Sequence, residues 1–471
     1  MIKNIKTISF ILILVTVLSC QTAKNTDNEL LLKDITIVDI ATGHLLANRN
    51  ILIRKNTITS IDYNGNVNPG TKTYDCSDKY LIPGLMDMHV HLFNNVSQKP
   101  PNEWALPLFI KNGVTGIREM WTPLDSVKTI QKWRQELDSG EILPRILAVG
   151  SLVEGGNTPW VPNMPLVNNE EEAREFVRQT KKVGYDFVKV YSHIRPNIYL
   201  AIVDEANKVD MEVSGHIPVE VELAKALEVG QKTNEHLWQV QIAGTDREAA
   251  FLNERKVFYD NPYEVEDEYR LLDQQMLEAA TIYNDSIFTQ IARSISAGGQ
   301  WQVPTLINEK RWYLGITKDR VIDSLLAQLP KQERENWMRA LAENNDTFFG
   351  DSLSLEQGWK TYKKMVSVLS DNDVGLLAGT DYGQLFIYPG YSLHQELELF
   401  VEAGLSPLEA LQTATTNPAK YLGLSNSLGT IKEGFLADLV ILNENPLEHI
   451  SNTQKIYSVI LNGKFIPVSS Q

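Results

Sequence analysis

Strand-like and helix-like stretches alternate through the middle of this chain, and that rhythm limits its fold more than any other feature. Leu81 to His91, Val114 to Met120, Arg145 to Val149, Phe187 to Tyr191, Glu212 to His216 and Lys232 to Leu237 read as short strands. Helical periodicity fills the gaps, most clearly at Ala173 to Val183, Ile198 to Val209 and Val219 to Val229. Strands alternating with helices argue for a parallel sheet, and eight such units close a barrel. Val303 to Leu306 and Gly375 to Ala378 are the seventh and eighth strand candidates. The expected fold class is α/β, a (β/α)8 TIM barrel over 81–424. Roughly sixty residues separate the sixth and seventh candidates, and a similar length follows the seventh. These insertions are rich in Glu, Lys, Gln, Leu and Trp, which predicts helices that lie over the catalytic face and shape a pocket.

The two ends have a different texture. Leu31 to Ile40 and Ile51 to Ile61 are β-branched, with turn signals at Thr42-Gly43 and Asn64-Gly65. Ala437 to Leu442 and Ile456 to Ile466, broken by Asn462-Gly463, repeat that pattern. They predict a small composite β-sandwich domain built from 31–80 and 425–471.

Ahead of it, Lys3 and Lys6 precede an apolar run from Ile8 to Leu18, too short for a comfortable membrane span but suited to secretion. Val17-Leu18-Ser19-Cys20 resembles a bacterial lipobox. The expectation is a signal peptide over 1–19, a lipidated Cys20 and a flexible tether over 20–30. A plain signal peptide is the alternative. The chain is then exported and lipid-anchored to a bacterial membrane, on the periplasmic side or the cell surface. With Cys20 lipidated, Cys76 has no partner, which excludes a disulfide framework. The formal net charge is −15, with no basic stripe, so nucleic acid is excluded as a partner.

The strongest local signal is Pro83-Gly84-Leu85-Met86-Asp87-Met88-His89-Val90-His91. Alternate side chains on a strand share a face, so His89 and His91 project together and can chelate one metal ion. Two histidines placed for packing would look the same. Other strand ends add weight: His216 closes the fifth, His236 the sixth, and Asp381 follows the eighth in Gly379-Thr380-Asp381. Lys189 lies inside the apolar strand Phe187 to Tyr191, where a charged amine is costly without a function. Tyr191 shares its face. His193, just beyond, is placed to touch substrate or to sit in a structural loop. His394, His44 and His449 read as structural. Trp301 and Trp312 flank the seventh strand as core or pocket wall, and Ser406-Pro407-Leu408-Glu409 reads as a capped helix start.

From about Leu31 to the C-terminus the chain resembles the amidohydrolase superfamily, within it the branch of imidazolonepropionases and metal-dependent prolidase-like dipeptidases. The His-x-His strand, Gly379-Thr380-Asp381 and the tail Gly429 to Val440 carry the likeness. The resemblance implies two divalent metal ions, zinc foremost, with iron and manganese also compatible with such ligands. His89, His91 and Asp381 would hold the first ion and His216 and His236 the second. Lys189 would bridge them as a carbamate formed with carbon dioxide. It implies hydrolysis of an amide or peptide-like C–N bond of a small substrate by a metal-bridging hydroxide. Asp381 would be the catalytic base and acid, with Tyr191 and His193 binding substrate. A mononuclear deaminase or cyclic-amide hydrolase of the same fold is the second reading, although such relatives usually lack the bridging lysine. A non-catalytic anchored binding protein is the third.

Overall fold

The computed structural model describes residues 29–93, 102–156, 164–260, 265–316, 320–343 and 350–468. The expected signal peptide, Cys20 and the tether as far as residue 28 lie outside them. Glu29 and Leu30, expected in the tether, instead open the first strand, where Glu29 pairs with Arg54 at 2.7 Å.

Five strands, Leu85–Val90, Val114–Glu119, Arg145–Gly155, Phe187–Val190 and Glu212–Gly215, lie side by side in one parallel sheet. Four of them are wholly or almost wholly buried, as strands covered on both faces must be. Thr233–Glu235 follows, joined to the fifth strand by Lys232 N–H donating to Val213 O at 2.9 Å, and it pairs in parallel with Trp301–Val303. The ring of hydrogen bonds then closes through residues 375–382. Gln302 donates to Gly375 O at 2.9 Å, Met88 to Ala378 O at 2.9 Å and His91 to Tyr382 O at 2.8 Å. The result is a TIM-barrel-like α/β fold.

Several expected boundaries move, each for a local reason. The seventh strand is Trp301–Val303 rather than Val303 to Leu306, so Trp301 lies in it instead of flanking it. Pro304 has no N–H for a ladder, Thr305 adopts a positive φ of 45°, and a helix, Leu306–Leu314, begins at once. The eighth segment joins by isolated bridges, Gln302 with Leu376 and Val90 with Tyr382, and is not a regular strand. Val219 to Val229 contracts to the helix Leu223–Glu228, because a turn from Pro218 to Val221 occupies the start.

Leu81 to His91 divides at Gly84 between two sheets. Tyr80–Pro83 belongs to the terminal sheet and Leu85–Val90 to the barrel. A methyl group at Gly84 would stand 2.0 Å from Thr115 Oγ1, so the barrel approaches too closely for any side chain there. The terminal sheet has eight strands drawn from both ends of the chain. Leu439–Leu442 runs antiparallel to Tyr80–Pro83, with Leu439 opposite Pro83, so the expected pairing of the termini is present. Where two layers were expected, the strands form one hydrogen-bonded sheet with its own apolar cluster, including Leu32, Ile53 and Ile441. Asp438 ties this sheet to the barrel by pairing with Arg145 and accepting from Asn462 N–H at 2.7 Å.

Both long insertions are helical, as composition predicts. Val265–Thr281 and Asp285–Gly298 fall before the seventh strand, and Lys331–Glu343 and Ser352–Asp371 after it. Ser406 caps its helix by a reciprocal bond with Glu409. His394 is buried and structural, bonded at 3.0 Å to both Thr453 and the Asn112 carbonyl, and burial pulls its pKa down to about 4. Cys76 is buried in the terminal sheet, and burial pushes its thiol up to about 11. Among the described residues no helix is long and apolar enough to cross a membrane.

Candidate metal centre

The C-terminal ends of the barrel strands bring together His89, His91, Lys189, His216, His236 and Asp381, all expected from the sequence. His89 Nε2 is the hub. It lies 3.1 Å from His91 Nε2, 3.3 Å from Lys189 Nζ and 3.3 Å from Asp381 Oδ1, and Asp381 Oδ1 is 2.9 Å from His91 Nε2. The rings of His89 and His236 are 4.8 Å apart and those of His216 and His236 are 5.0 Å apart. Donors about 2.0–2.1 Å from a tetrahedral ion stand about 3.3 Å from one another, so the spacing around His89 is that of a ligand set.

Unpaired atoms point the same way. His216 Nε2 and Asp381 Oδ1 are buried and make no well-formed hydrogen bond. Buried polar atoms are rarely left so without a reason. Behind two of the rings Nδ1 is held, at His89 by Glu235 at 2.7 Å and at His236 by Thr305 Oγ1 at 2.6 Å, while His216 Nδ1 meets Ser192 Oγ at 2.8 Å and the indole N–H of Trp238. The Glu235 carboxylate can only accept, so it selects the His89 tautomer that leaves Nε2 bare for an ion. His89, His236 and Asp381 also form a group whose donor atoms all lie within 4.8 Å, enough to hold one ion. The donor set therefore fits divalent metal.

The backbone is bent to reach this arrangement. His236 and Asp381 both take φ of 58°, a left-handed conformation that non-glycine residues seldom adopt. Each costs about 1–3 kcal/mol, which accumulates where function rather than folding decides the residue. Gly379 makes the approach possible, since a Cβ there would stand 2.7 Å from His89 Cβ.

Burial sets the charge states. It lowers the pKa of His89, His91 and His216, and takes His236 down to about 4, so these imidazoles are neutral at pH 7. Burial also draws Lys189 down to about 8, against the opposing pull of Asp381 and Glu235. About a tenth of the amine is then neutral and nucleophilic at pH 7, far more than in a free lysine. Burial works against ionisation of Asp381, but His89 and His91 outweigh it and hold the carboxyl well below its usual range.

Several buried groups escaped the sequence reading. Arg118 donates to Glu235 at 2.9 Å and to the Met88 carbonyl at 2.6 Å, and so supports the carboxylate behind His89. Asp87 fixes the Gly-Thr-Asp turn by accepting from Thr380 N at 3.0 Å and Thr380 Oγ1 at 2.6 Å. Asn308 donates to Asp381 Oδ2 at 2.8 Å. The test that marks Lys189, a charge inside an apolar strand, applies also to Arg118, whereas Glu235 ends the polar strand Thr233–Glu235 and is not marked by it. Asn308 lies in a helical insertion and carries no such signal.

A cavity of about 510 Å³ opens above the centre, lined by Tyr191, His193, His216, His236 and Asp381. Tyr191 stacks on His216 with centroids 4.3 Å apart. His193 lies between Glu154 at 3.0 Å and Glu268, on an insertion helix, at 3.3 Å. Burial alone would lower its pKa, but the two carboxylates push it up to about 10. Trp312 lines the cavity, whereas Trp301 packs against Tyr421 outside it.

Residues 80–466 match the model of the amidohydrolase family. The chain belongs to that family. Its membership makes this amidohydrolase a hydrolase of carbon–nitrogen bonds. It is 22% identical over 443 residues to 5'-deoxyadenosine deaminase of Methanosphaera stadtmanae, covering 88% of this chain and 85% of the relative. Among solved structures it resembles a Xaa-Pro dipeptidase with bound methionine, with TM-score 0.64 and 20% identity over 93% of this chain and all of that one. Bottromycin amidohydrolase aligns with TM-score 0.68 and 20% identity over 93% and 87% of the two chains. At these identities the structural likenesses establish the fold.

Proposed function

We propose that this amidohydrolase cleaves an amide or peptide-like bond of a small substrate, using two divalent ions, zinc foremost. The observation that carries this reading is the convergence of His89, His91, Asp381 and Lys189 within 2.9–3.3 Å of their nearest partners, with Asp381 also lining the cavity. His89, His91 and Asp381 would hold one ion and His216 and His236 the other. Lys189, its neutral amine having added to carbon dioxide with release of a proton, would join these ligands as a carbamate. Bound there, divalent ions supply Lewis acidity, polarising the scissile carbonyl and lowering the pKa of the attacking water.

The chain's own residues do the rest. Asp381 takes the proton of the attacking water and returns it to the leaving amine. Asn308 fixes the orientation of Asp381 through Oδ2, which leaves Oδ1 aimed at the centre. Glu235 holds the His89 ring, and Arg118 holds Glu235. Tyr191 and His193 form the wall against which the substrate rests. The amide-hydrolase reading is favoured over a mononuclear deaminase by the position of Lys189, 3.3 Å from the hub imidazole.

The test is a screen of the zinc-loaded protein against dipeptides and N-acyl amino acids. We expect hydrolysis of at least one class, loss of activity with a chelator, and recovery on return of the metal. Hydrolysis that survives complete chelation would refute the metal-dependent mechanism.

A further inference from the structure

The helix Leu306–Leu314 opens on a threonine that does not cap it. Threonine at such a position normally accepts a backbone N–H of the first turn, yet the Thr305 hydroxyl makes no such bond. It lies instead 2.6 Å from His236 Nδ1. The N–H groups that open the helix have no acceptor within it. They go to Glu396, which is distant in sequence: Leu306 N–H donates to one carboxyl oxygen at 2.8 Å and Ile307 N–H to the other at 2.7 Å. Glu396 is wholly buried in the helix Tyr391–Glu402. Burial pushes its pKa up to about 8 against the pull of these two bonds, so the placing of two acceptor oxygens, rather than a full charge, holds the helix start.

The segment held in this way carries two side chains that serve the centre. Thr305 reaches His236, and Asn308 donates to Asp381 Oδ2 at 2.8 Å. Thr305 itself takes a positive φ of 45°, a conformation that persists only where the surroundings fix it. Fixing groups stand on both sides. Tyr362 donates its hydroxyl to the Pro304 carbonyl at 2.7 Å, and Glu396 takes the N–H groups of the two residues that follow Thr305. Without those acceptors the Thr305 hydroxyl would be drawn to the orphaned Ile307 N–H, and so away from His236.

We propose that Glu396 is a positioning residue for the metal centre. By capping the helix in place of Thr305 it frees that hydroxyl to fix the His236 ring, with Nε2 left for an ion, and it sets Asn308 against Asp381. Glu396 does not line the cavity and acts only through these two residues. This inference rests on the metal-dependent reading and adds to it a residue remote from the ions.

The test is a competitive zinc titration of the full chain as wild type, Glu396→Leu, Thr305→Val and the double variant, each with its thermal midpoint. Glu396→Leu removes both acceptors, and Thr305→Val removes the hydroxyl with little change of shape. Each single change should weaken zinc binding about 10–100-fold, the scale for losing the group behind a metal-binding histidine. The double variant should bind within about threefold of the weaker single one, because both changes release the same ring. Glu396→Gln keeps one acceptor and the side-chain volume. It should fall between wild type and Glu396→Leu, and it carries the same cycle if Glu396→Leu does not fold. On a peptide that the wild type cleaves, Glu396→Gln should lower kcat about tenfold with KM within about twofold. Wild-type zinc affinity in both Glu396 variants, or losses that multiply in the double variant, would overturn the assignment. Zinc binding that follows the expected pattern without cleavage of any peptide would remove the amide-hydrolase reading and leave the assignment standing. A wild type that binds no zinc would end both.

Discussion

Replacing Asp381 with Asn should lower kcat by about 10²–10⁴-fold while leaving the fold and much of the metal in place. The substitution preserves shape, so the left-handed backbone at 381 and the turn fixed by Asp87 and Thr380 stay as they are. Asn308 donates to Oδ2, so the new amide must keep its oxygen on that side. Its NH2 then faces the position of Oδ1, beside His89 and His91. An NH2 there can neither accept the proton of the attacking water nor ligate an ion well. His89 and His91 remain to retain the metal. The measurement is steady-state kinetics with elemental analysis of the same preparation. Wild-type turnover in the variant would end the assignment of Asp381 as the proton carrier.

The second large effect is expected at a residue that touches no substrate. Glu235 is fully buried between His89 Nδ1 at 2.7 Å and Arg118 at 2.9 Å, and Arg118 is fully buried as well. Glu235→Ala leaves the guanidinium without its anion and the imidazole without the acceptor that fixes its tautomer. Breaking a buried pair from one side costs about 3–5 kcal/mol. Loss of the group behind a metal-binding histidine lowers metal affinity about 10–100-fold. Denaturant unfolding and a competitive zinc titration read the two effects separately. A variant destabilised by under about 1 kcal/mol, with wild-type zinc affinity, would show that Arg118 and His89 find other partners.

What the sequence disclosed follows from the same physics. His89, His91, His216, His236 and Asp381 were legible because barrel enzymes place polar groups at the ends of otherwise apolar strands. Lys189 was legible because a charge within Phe187–Val190 is costly unless it is used. The pairing of the chain ends was visible in two β-branched textures, and its junction is Leu439 opposite Pro83. The eighth strand was placed but not its character, because residues 375–382 gain their bonds from distant strands rather than from propensity. The division at Gly84 was hidden for a similar reason: one apolar run serves two sheets, and only the closeness of Thr115 shows why glycine separates them. Asn308 was illegible. It arrives on a helix whose placement over the barrel depends on packing across long insertions, and no local pattern encodes that.

The central claim is a metal-loaded centre assembled from six side chains. Its most direct test is the metal content of the purified chain after equilibration with zinc and bicarbonate, followed by removal of unbound ion. Two equivalents of zinc per chain are expected, falling to one or fewer in Lys189→Ala. One equivalent in the wild type would instead indicate a single ion, for which His89, His236 and Asp381 suffice. No bound metal under those conditions would contradict a metal-loaded centre.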